Sequence, residues 1–238
     1  MSHPAFDAIR PVEALIVTLA FTALARWVRG VTLSGAVAGA VVCFLLYSCV
    51  GPGAFLGLVS VFALTWVSTR LGYRRKQRLG TAENREGRTA AQVLANLAVS
   101  AGCAALFAAG GRAVFLLAMA AAFSEAAADT VSSELGQAGN DRARLITTWQ
   151  LVPAGTDGGV SVAGTFSGIT AAALVGLVCV MGKLVRFPQL GIPIVAGVIG
   201  MLADSFMGAI LERRKVLTND WVNFLGTLIA AVLAVAIS

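Results

Sequence analysis

Residues 112–135 read RAVFLLAMAAAFSEAAADTVSSEL. The stretch is apolar over a length that suits a bilayer-crossing helix, about 20 residues. It nevertheless carries Glu125 and Asp129, four residues apart and therefore on one face of a helix. Seven further apolar runs lie at positions 12–29, 32–50, 53–70, 90–110, 162–182, 188–211 and 220–237. The pattern predicts an all-α, polytopic transmembrane bundle of about eight spans forming a single membrane domain over residues 1–238. If the hairpin around Gly51-Pro52-Gly53 is re-entrant, the count becomes seven and the termini fall on opposite sides.

Composition agrees. The chain is 58% hydrophobic with only 13% charged residues, against roughly 25% charged in soluble domains. Its mean hydropathy is +0.83. A soluble fold could not hide that much apolar surface, whereas a lipid-facing one has no need to. The 26 glycines suit helices packed closely through small residues. Cys43, Cys49, Cys103 and Cys179 lie in or beside apolar runs without a C-x-x-C pair, and read as small hydrophobes rather than disulfides or metal ligands. The single histidine, His3, sits in the N-terminal tail, which argues against histidine catalysis or histidine metal sites. No signal peptide is expected, since no cationic region precedes a short apolar run with a cleavage site.

The net charge of +6 would suggest nucleic acid in a soluble protein. Here it follows from loop topology, and no nucleic-acid partner is expected. With eight spans, the ends of the first, third, fifth and seventh share a side. Arg26, Arg29, Arg70, Arg74, Arg75, Lys76, Arg78, Arg85, Arg88, Arg142, Arg144, Arg213, Arg214 and Lys215 fall there, 14 of the 18 cations. Arg10, Arg112, Lys183 and Arg186 fall opposite. The bias predicts an inner-membrane protein with that richer side in the cytoplasm and both termini outside. Two long polar segments then face the cytoplasm: a basic loop over 71–89, read as topology and contact with anionic membrane lipids, and a glycine-rich loop over 136–161.

Polar residues inside apolar runs are costly, about 2.5–3.5 kcal/mol for an Asp near the centre, so their positions carry information. Gln92, Asn96 and Ser100 recur every four residues. Glu125 and Asp129 do the same, followed by Thr130, Ser132, Ser133 and Glu134. Asp204 stands between Gly200 and Gly208 with Ser205 beside it, and the last run opens with Asn219, Asp220 and Asn223. All these sets lie in the cytoplasmic halves of their spans. Asp204 is about 10 Å from its helix end at 1.5 Å per residue. The first three spans carry no acid within their runs beyond Glu13, and read as scaffold or lipid-facing walls. Paired acids would repel unless a cation sits between them, and magnesium is commonly held by two carboxylates and phosphate oxygens. In the second loop, Gly155, Gly158 and Gly159 permit backbone shapes that aim successive N–H groups at an anion. Ser161 or Thr165 is placed to cap the following helix, whose N-terminus also favours phosphate. No Gly-Lys-Ser/Thr follows, so this is not a Walker A loop.

Four stretches in this order carry a resemblance: Gly87-Arg88-Thr89-Ala90-Ala91-Gln92-Val93-Leu94-Ala95-Asn96, Ala128-Asp129-Thr130-Val131-Ser132-Ser133-Glu134-Leu135-Gly136, Gly155-Thr156-Asp157-Gly158-Gly159-Val160-Ser161 and Gly200-Met201-Leu202-Ala203-Asp204-Ser205-Phe206-Met207-Gly208-Ala209. Over nearly the whole chain they resemble the membrane family that includes plant and cyanobacterial phytyl-phosphate kinases. In motif order the family is similar to CTP-using polyprenol and phytol kinases. The resemblance implies phosphoryl transfer from CTP to an isoprenyl monophosphate, with Mg²⁺ required. On that reading Asp129 and Asp204 hold the metal with Glu125 or Glu134 nearby. Gly155, Thr156, Asp157, Gly158, Gly159 and Ser161 cradle the nucleotide, Ser133 belongs to the same site, and Asn96 and Gln92 orient the phosphate or a metal-bound water. Arg88 neutralises charge in the transition state. A phosphate monoester is already an anionic nucleophile, so no general base is required, although Asp157 could serve as one. An ion-coupled transporter or lipid flippase is the alternative, since intramembrane acids also couple proton or sodium movement. Transporters, however, bind at the midplane and often carry inverted repeats, and none is visible here.

Overall fold

A computed structural model describes residues 9–139 and 142–238; His3 lies outside them. Helices follow the apolar runs: α1 (Ile9–Trp27), α2 (Leu33–Cys49), α3 (Pro52–Arg70), α5 (Ala90–Gly110), α6 (Val114–Gly139), α7 (Val162–Met181), α8 (Gly191–Met207) and α9 (Asn219–Ala236), with a short α4 (Tyr73–Leu79) inside the first polar loop. Among the described residues, six helical segments are long and apolar enough to cross a membrane: α3, α5, α6, α7, α9 and the segment Phe187–Glu212 that contains α8. Helix α2 is apolar but shorter, and α1 carries Arg10, Glu13 and Arg26 within its length. The chain is therefore an all-α polytopic membrane bundle with six candidate spans and one shorter apolar helix, where about eight spans were expected.

The second polar loop is more ordered than its composition suggests. It folds into a three-stranded antiparallel sheet in the order β2 (Leu151–Pro153), β1 (Arg142–Leu145), β3 (Gly159–Val160). Along β1 the arginines at 142 and 144 face out while Ala143 and Leu145 are buried, the alternation that a strand imposes.

Helix α6 is the hub. Every residue from Leu117 to Ala128 is buried, and α3, α5, α7, α8 and α9 all pack on it. A helix enclosed on all sides must present small side chains if its neighbours are to approach, and alanine dominates this run. The neighbours reciprocate with glycine. Gly164 and Gly168, four apart on α7, lie over the Ser132 and Ala128 carbonyls of α6. A Cβ there would sit 2.6 Å and 2.8 Å from those oxygens. Helix α2 packs on α5 and α1 on α2, at the periphery. Val12, Leu15, Ile16 and Leu19 of α1 are exposed, as expected of a lipid-facing wall.

The first polar loop is latched to this bundle by a buried ion pair. On α4, Lys76 is fully buried. Its Nζ donates to the carbonyls of Ser68 (3.1 Å) and Thr69 (2.7 Å) at the end of α3, and to Glu134 Oε2 on α6. Thr69 Oγ1 also donates to Glu134 Oε1 at 3.4 Å. One cation of the basic loop, read from composition as surface charge, thus points inward and ties α3, α4 and α6 together.

Removing one partner of such a pair strands a buried charge. Lys76→Met is expected to destabilise the protein by about 3 kcal/mol or more. The double variant Lys76→Met/Glu134→Gln should recover most of that. Thermal melting in detergent measures both, and an unshifted midpoint for the single variant would show that the latch carries no stability.

Candidate functional site

The path to the site begins at the loop before α5. Arg88 forms an isolated parallel bridge with Val31 in the α1–α2 turn. Its N–H donates to Gly30 O (3.1 Å) and its carbonyl accepts from Thr32 N (3.0 Å). Close approach is possible because Gly87 has φ +89° and lies against the Gly30–Val31 backbone. Thr89 then caps α5 in a reciprocal capping box: Thr89 N donates to Gln92 Oε1 at 2.8 Å, and Thr89 Oγ1 accepts from Gln92 N at 3.5 Å. With its backbone held on both sides, Arg88 extends its guanidinium to α6, where Nη2 donates to Thr130 Oγ1 at 3.2 Å.

The neighbour of Thr130 is Asp129. Asp129 on α6 and Asp204 on α8 are near enough for each charge to bear on the other, and Arg88 is the cation whose charge bears on Asp129. Both acids line a polar cavity of about 410 Å³. Arg88, Gln92 and Asn96 line it from the loop and α5. Ser133 and Glu134 line it from α6, and Gly155 through Ser161 from the sheet side. Nearly the whole set of residues expected from the sequence therefore converges on one cavity.

Three of these residues differ in role from the expectation. Glu125 does not line the cavity. It is 1% exposed, one turn deeper than Asp129, and packed by the glycines of α8 and α9. A Cβ on Gly200 would come within 2.6 Å of Glu125 Cγ, and Gly226 faces its Oε1. Glu134 is engaged by Lys76 and Thr69, so its carboxylate already has a cation. Gln92 spends its amide on structure: Oε1 closes the capping box, and Nε2 donates to Glu83 Oε1 at 3.1 Å. It lines the cavity while holding Glu83.

Glycines set the shape of the wall opposite the acids. Gly155 (φ +85°) packs on Thr81, and Gly158 (φ +73°) lies against Ala209, where a Cβ would meet the Ala209 backbone at about 2.6 Å. Two of the loop's N–H groups are spent internally, Thr156 on Pro153 O (3.3 Å) and Gly159 on Thr156 O (2.8 Å), which leaves fewer backbone donors for an anion than the glycine content suggests. Ser161 caps α7 by accepting from Gly164 N at 3.1 Å, and its hydroxyl proton remains a donor. Asp157 is exposed at the rim.

The structure adds Glu212 and Glu83 to the lining; of the α9 set singled out in the sequence, Asn219 and Asn223 reach it while Asp220 stays outside. Glu212 arrives through a π-helical turn, Gly208–Glu212, that continues α8; such turns rotate the following residues and recur at functional sites. No local sequence signal marks it.

Among the described residues, no group of three or more His, Cys, Asp or Glu side chains forms a metal cage. The donor set still suits magnesium. Two adjacent carboxylates face a polar cavity, and Asp204 Oδ2 is buried without a hydrogen-bond partner. Mg²⁺ is ordinarily held by one or two carboxylates, completed by water and substrate phosphates.

A second cavity of about 310 Å³, mainly apolar, lies between α1, α2, α3 and α5. Glu83, Arg88, Gln92 and Asn96 line both cavities and form the wall they share.

This is an integral membrane protein whose helices bring paired carboxylates, an arginine and a glycine-rich loop around one polar cavity. It belongs to the family described as integral membrane protein DUF92, which matches residues 16–231. It is 31% identical to an uncharacterized membrane protein of Methanocaldococcus jannaschii, over 96% of this chain and 94% of that one. It is 32% identical to an uncharacterized membrane protein of Synechocystis, over 81% and 77%. With the chloroplastic protein VTE6 of Arabidopsis thaliana it shares 30% identity, over 87% of this chain and 65% of that protein. No solved structure matches it.

The glycine wall is testable on its own. Gly158→Ala forces a side chain into a left-handed backbone conformation at a tight contact with Ala209, at a cost of about 1–3 kcal/mol. A lowered melting temperature and faster proteolysis within residues 142–161 are expected. Wild-type behaviour would mean that Gly158 needs neither its φ nor its proximity to α8.

Proposed function

We propose that the polar cavity is the active site of a membrane kinase. It transfers the terminal phosphoryl group of a nucleoside triphosphate, CTP by the family resemblance, to an isoprenyl monophosphate such as phytyl, geranylgeranyl or farnesyl phosphate. The observation that carries this reading is the convergence of Asp129, Asp204, Arg88, Asn96 and the Gly155–Ser161 loop on one cavity, beside an apolar cavity that shares its wall. The bundle would cross the membrane eight times, with α1 and α2 included. The cavity would then face the cytoplasm, because Arg88, Arg142 and Arg144 belong to the cation-rich side.

An oxygen of the acceptor phosphate attacks the γ-phosphorus. The bond to the bridging oxygen breaks, and the nucleoside diphosphate leaves with the electron pair. The attacking group is already anionic, so the chain need supply no base. Phosphoryl transfer is catalysed chiefly by positioning and charge stabilisation. Arg88, fixed by its backbone bridge and by Thr130, neutralises charge on the transferring group. The Ser161 hydroxyl and the loop hold the nucleotide phosphates, and Asn96 lies where donor and acceptor would meet. Magnesium, when bound at Asp129 and Asp204, would neutralise the β- and γ-phosphate oxygens. Glu125 is enclosed by Gly200 and Gly226 and does not line the cavity, so it is left out of the proposed ligand set.

The test is an assay of purified protein in detergent with labelled geranylgeranyl phosphate, Mg²⁺ and each nucleoside triphosphate. The prenyl diphosphate should form, with CTP preferred. Asp129→Asn, Asp204→Asn and Arg88→Ala should each lower kcat by about a hundredfold or more, and Glu125→Gln far less. Absence of diphosphate with every acceptor and donor, together with cation-driven flux in proteoliposomes, would replace the kinase with a transporter.

A further inference from the structure

The apolar cavity beside the site is built from helices that read, from sequence, as passive walls. On each helix the lining stops at a definite depth: Phe21 on α1, Gly39 on α2, Leu58 on α3 and Leu97 on α5. From Arg70 to Leu58 the lining descends about 18 Å along α3, at about 1.5 Å rise per residue. On the α1–α3 side the interior is apolar apart from threonines, with Val61 and Phe62 between these levels, while Gln92 and Asn96 face it from α5. Charge is confined to the mouth, where four cations, Arg29, Arg70, Arg85 and Arg88, join the lining with one acid, Glu83, whose carboxylate accepts from Gln92 Nε2.

The mouth is ordered. Arg70 stacks on Trp66 at 4.1 Å and donates to Val28 O at 2.6 Å, while Trp66 Nε1 donates to the same carbonyl at 3.2 Å. Tyr73 OH donates to Glu83 O at 3.1 Å, and Arg85 lies over the Tyr73 ring at 5.8 Å. Arg29 and Arg85 are exposed, with their charge available to an anion. An apolar shaft with a cationic rim is complementary to an amphiphile with one anionic end. The rim residue Arg88 also belongs to the polar cavity, so a headgroup held there is presented to the phosphoryl-transfer site. The cavity, mouth included, measures about 310 Å³, at the low end of ligand pockets, roughly 300–1,000 Å³, the scale of a single hydrocarbon chain.

We propose that this cavity holds the tail of the acceptor, that it selects single-tailed lipid phosphates over two-tailed ones, and that its floor at Gly39 and Leu58 limits the tail length accepted. The inference rests on the kinase reading for the word acceptor, but the binding site itself does not require catalysis. Gly39 is the informative position. It lines the shaft, and a Cβ added there meets no atom within 4 Å, so a side chain can begin there in open space. The exposed Gly102 on α5 has equally open space and lies outside the cavity, which makes it the control.

Binding is measured without nucleotide, using geranylgeranyl phosphate carrying a photoreactive group at the tail end, with crosslinks mapped by mass spectrometry. Adducts should fall near Gly39, Leu58 or Leu97. Unlabelled geranylgeranyl phosphate should compete, and phosphatidic acid should not. Gly39→Leu should weaken geranylgeranyl phosphate by about tenfold or more, the size of effect that a lost methylene-scale fit produces. The shorter geranyl phosphate should bind as before, and Gly102→Leu should change neither. Adducts on the lipid-facing side of α1, equal competition by phosphatidic acid, or equal weakening of both prenyl phosphates by Gly39→Leu would overturn the proposal. If the predicted binding pattern holds but no diphosphate forms, the kinase reading falls and the tail site stands. If the diphosphate forms and Gly39→Leu shifts no chain preference, the tail site falls alone.

Discussion

Helix α6 carries three carboxylates, Glu125, Asp129 and Glu134, up the middle of a largely apolar bundle, and each has to be accommodated where water is scarce. The cost of an uncompensated charge in such a place is several kcal/mol, and the surrounding architecture follows from how each is met. Glu134, nearest the polar loops, draws Lys76 inward and so fastens α4 to α3 and α6. Asp129, in the middle, faces Asp204, Arg88 and a polar cavity. Glu125, deepest, is enclosed by the glycines of α8 and α9. The sequence of environments along one helix runs from ion pair, to cavity, to closed packing.

The same demand explains the loops. Arg88 can offset Asp129 only if its backbone is fixed, and the bridge to Val31 with the capping box at Thr89 fixes it. Gln92, Glu83 and Tyr73 extend that order back along the loop. On the other side, a small sheet and two left-handed glycines bring the Gly155–Ser161 segment down onto the π-turn after α8. That contact closes the cavity opposite the acids. Rigid surroundings matter for any chemistry that works by placing charge, since misplacement by an ångström is costly.

Two cavities of opposite character meeting at one wall give the site its logic. The proposed donor is a polyphosphate and the proposed acceptor an amphiphile, and no single environment solvates both. Placing Arg88 and Asn96 between the two lets an anionic headgroup be shared while its tail remains in apolar surroundings. On that proposal, helices α1 to α3 serve the site as well as filling the bilayer.

Much of this was legible in the order of residues. Long apolar runs define membrane helices because hydropathy and length act locally; Asp129, Asp204 and Asn96 stand out because polar side chains in such runs are expensive, and the Gly155–Ser161 segment because of its glycines. Depth put Asp129, Asp204 and Asn96 at one level, and the family resemblance put the loop at the same site. Other features had no local signature. Lys76 reads as one of several cations in a basic loop, and only the folded chain turns it toward Glu134. Glu125 and Asp129 look equivalent at four-residue spacing, yet Gly200 and Gly226 shut one in while the other reaches the cavity. The apolar shaft is a gap between four helices and belongs to no segment of sequence. Residue identity and spacing determine which helices form and which polar groups they carry. Which of those groups finds an ion partner, an open cavity or a wall of glycine depends on interhelical distances of a few ångströms, and those exist only once the helices have packed.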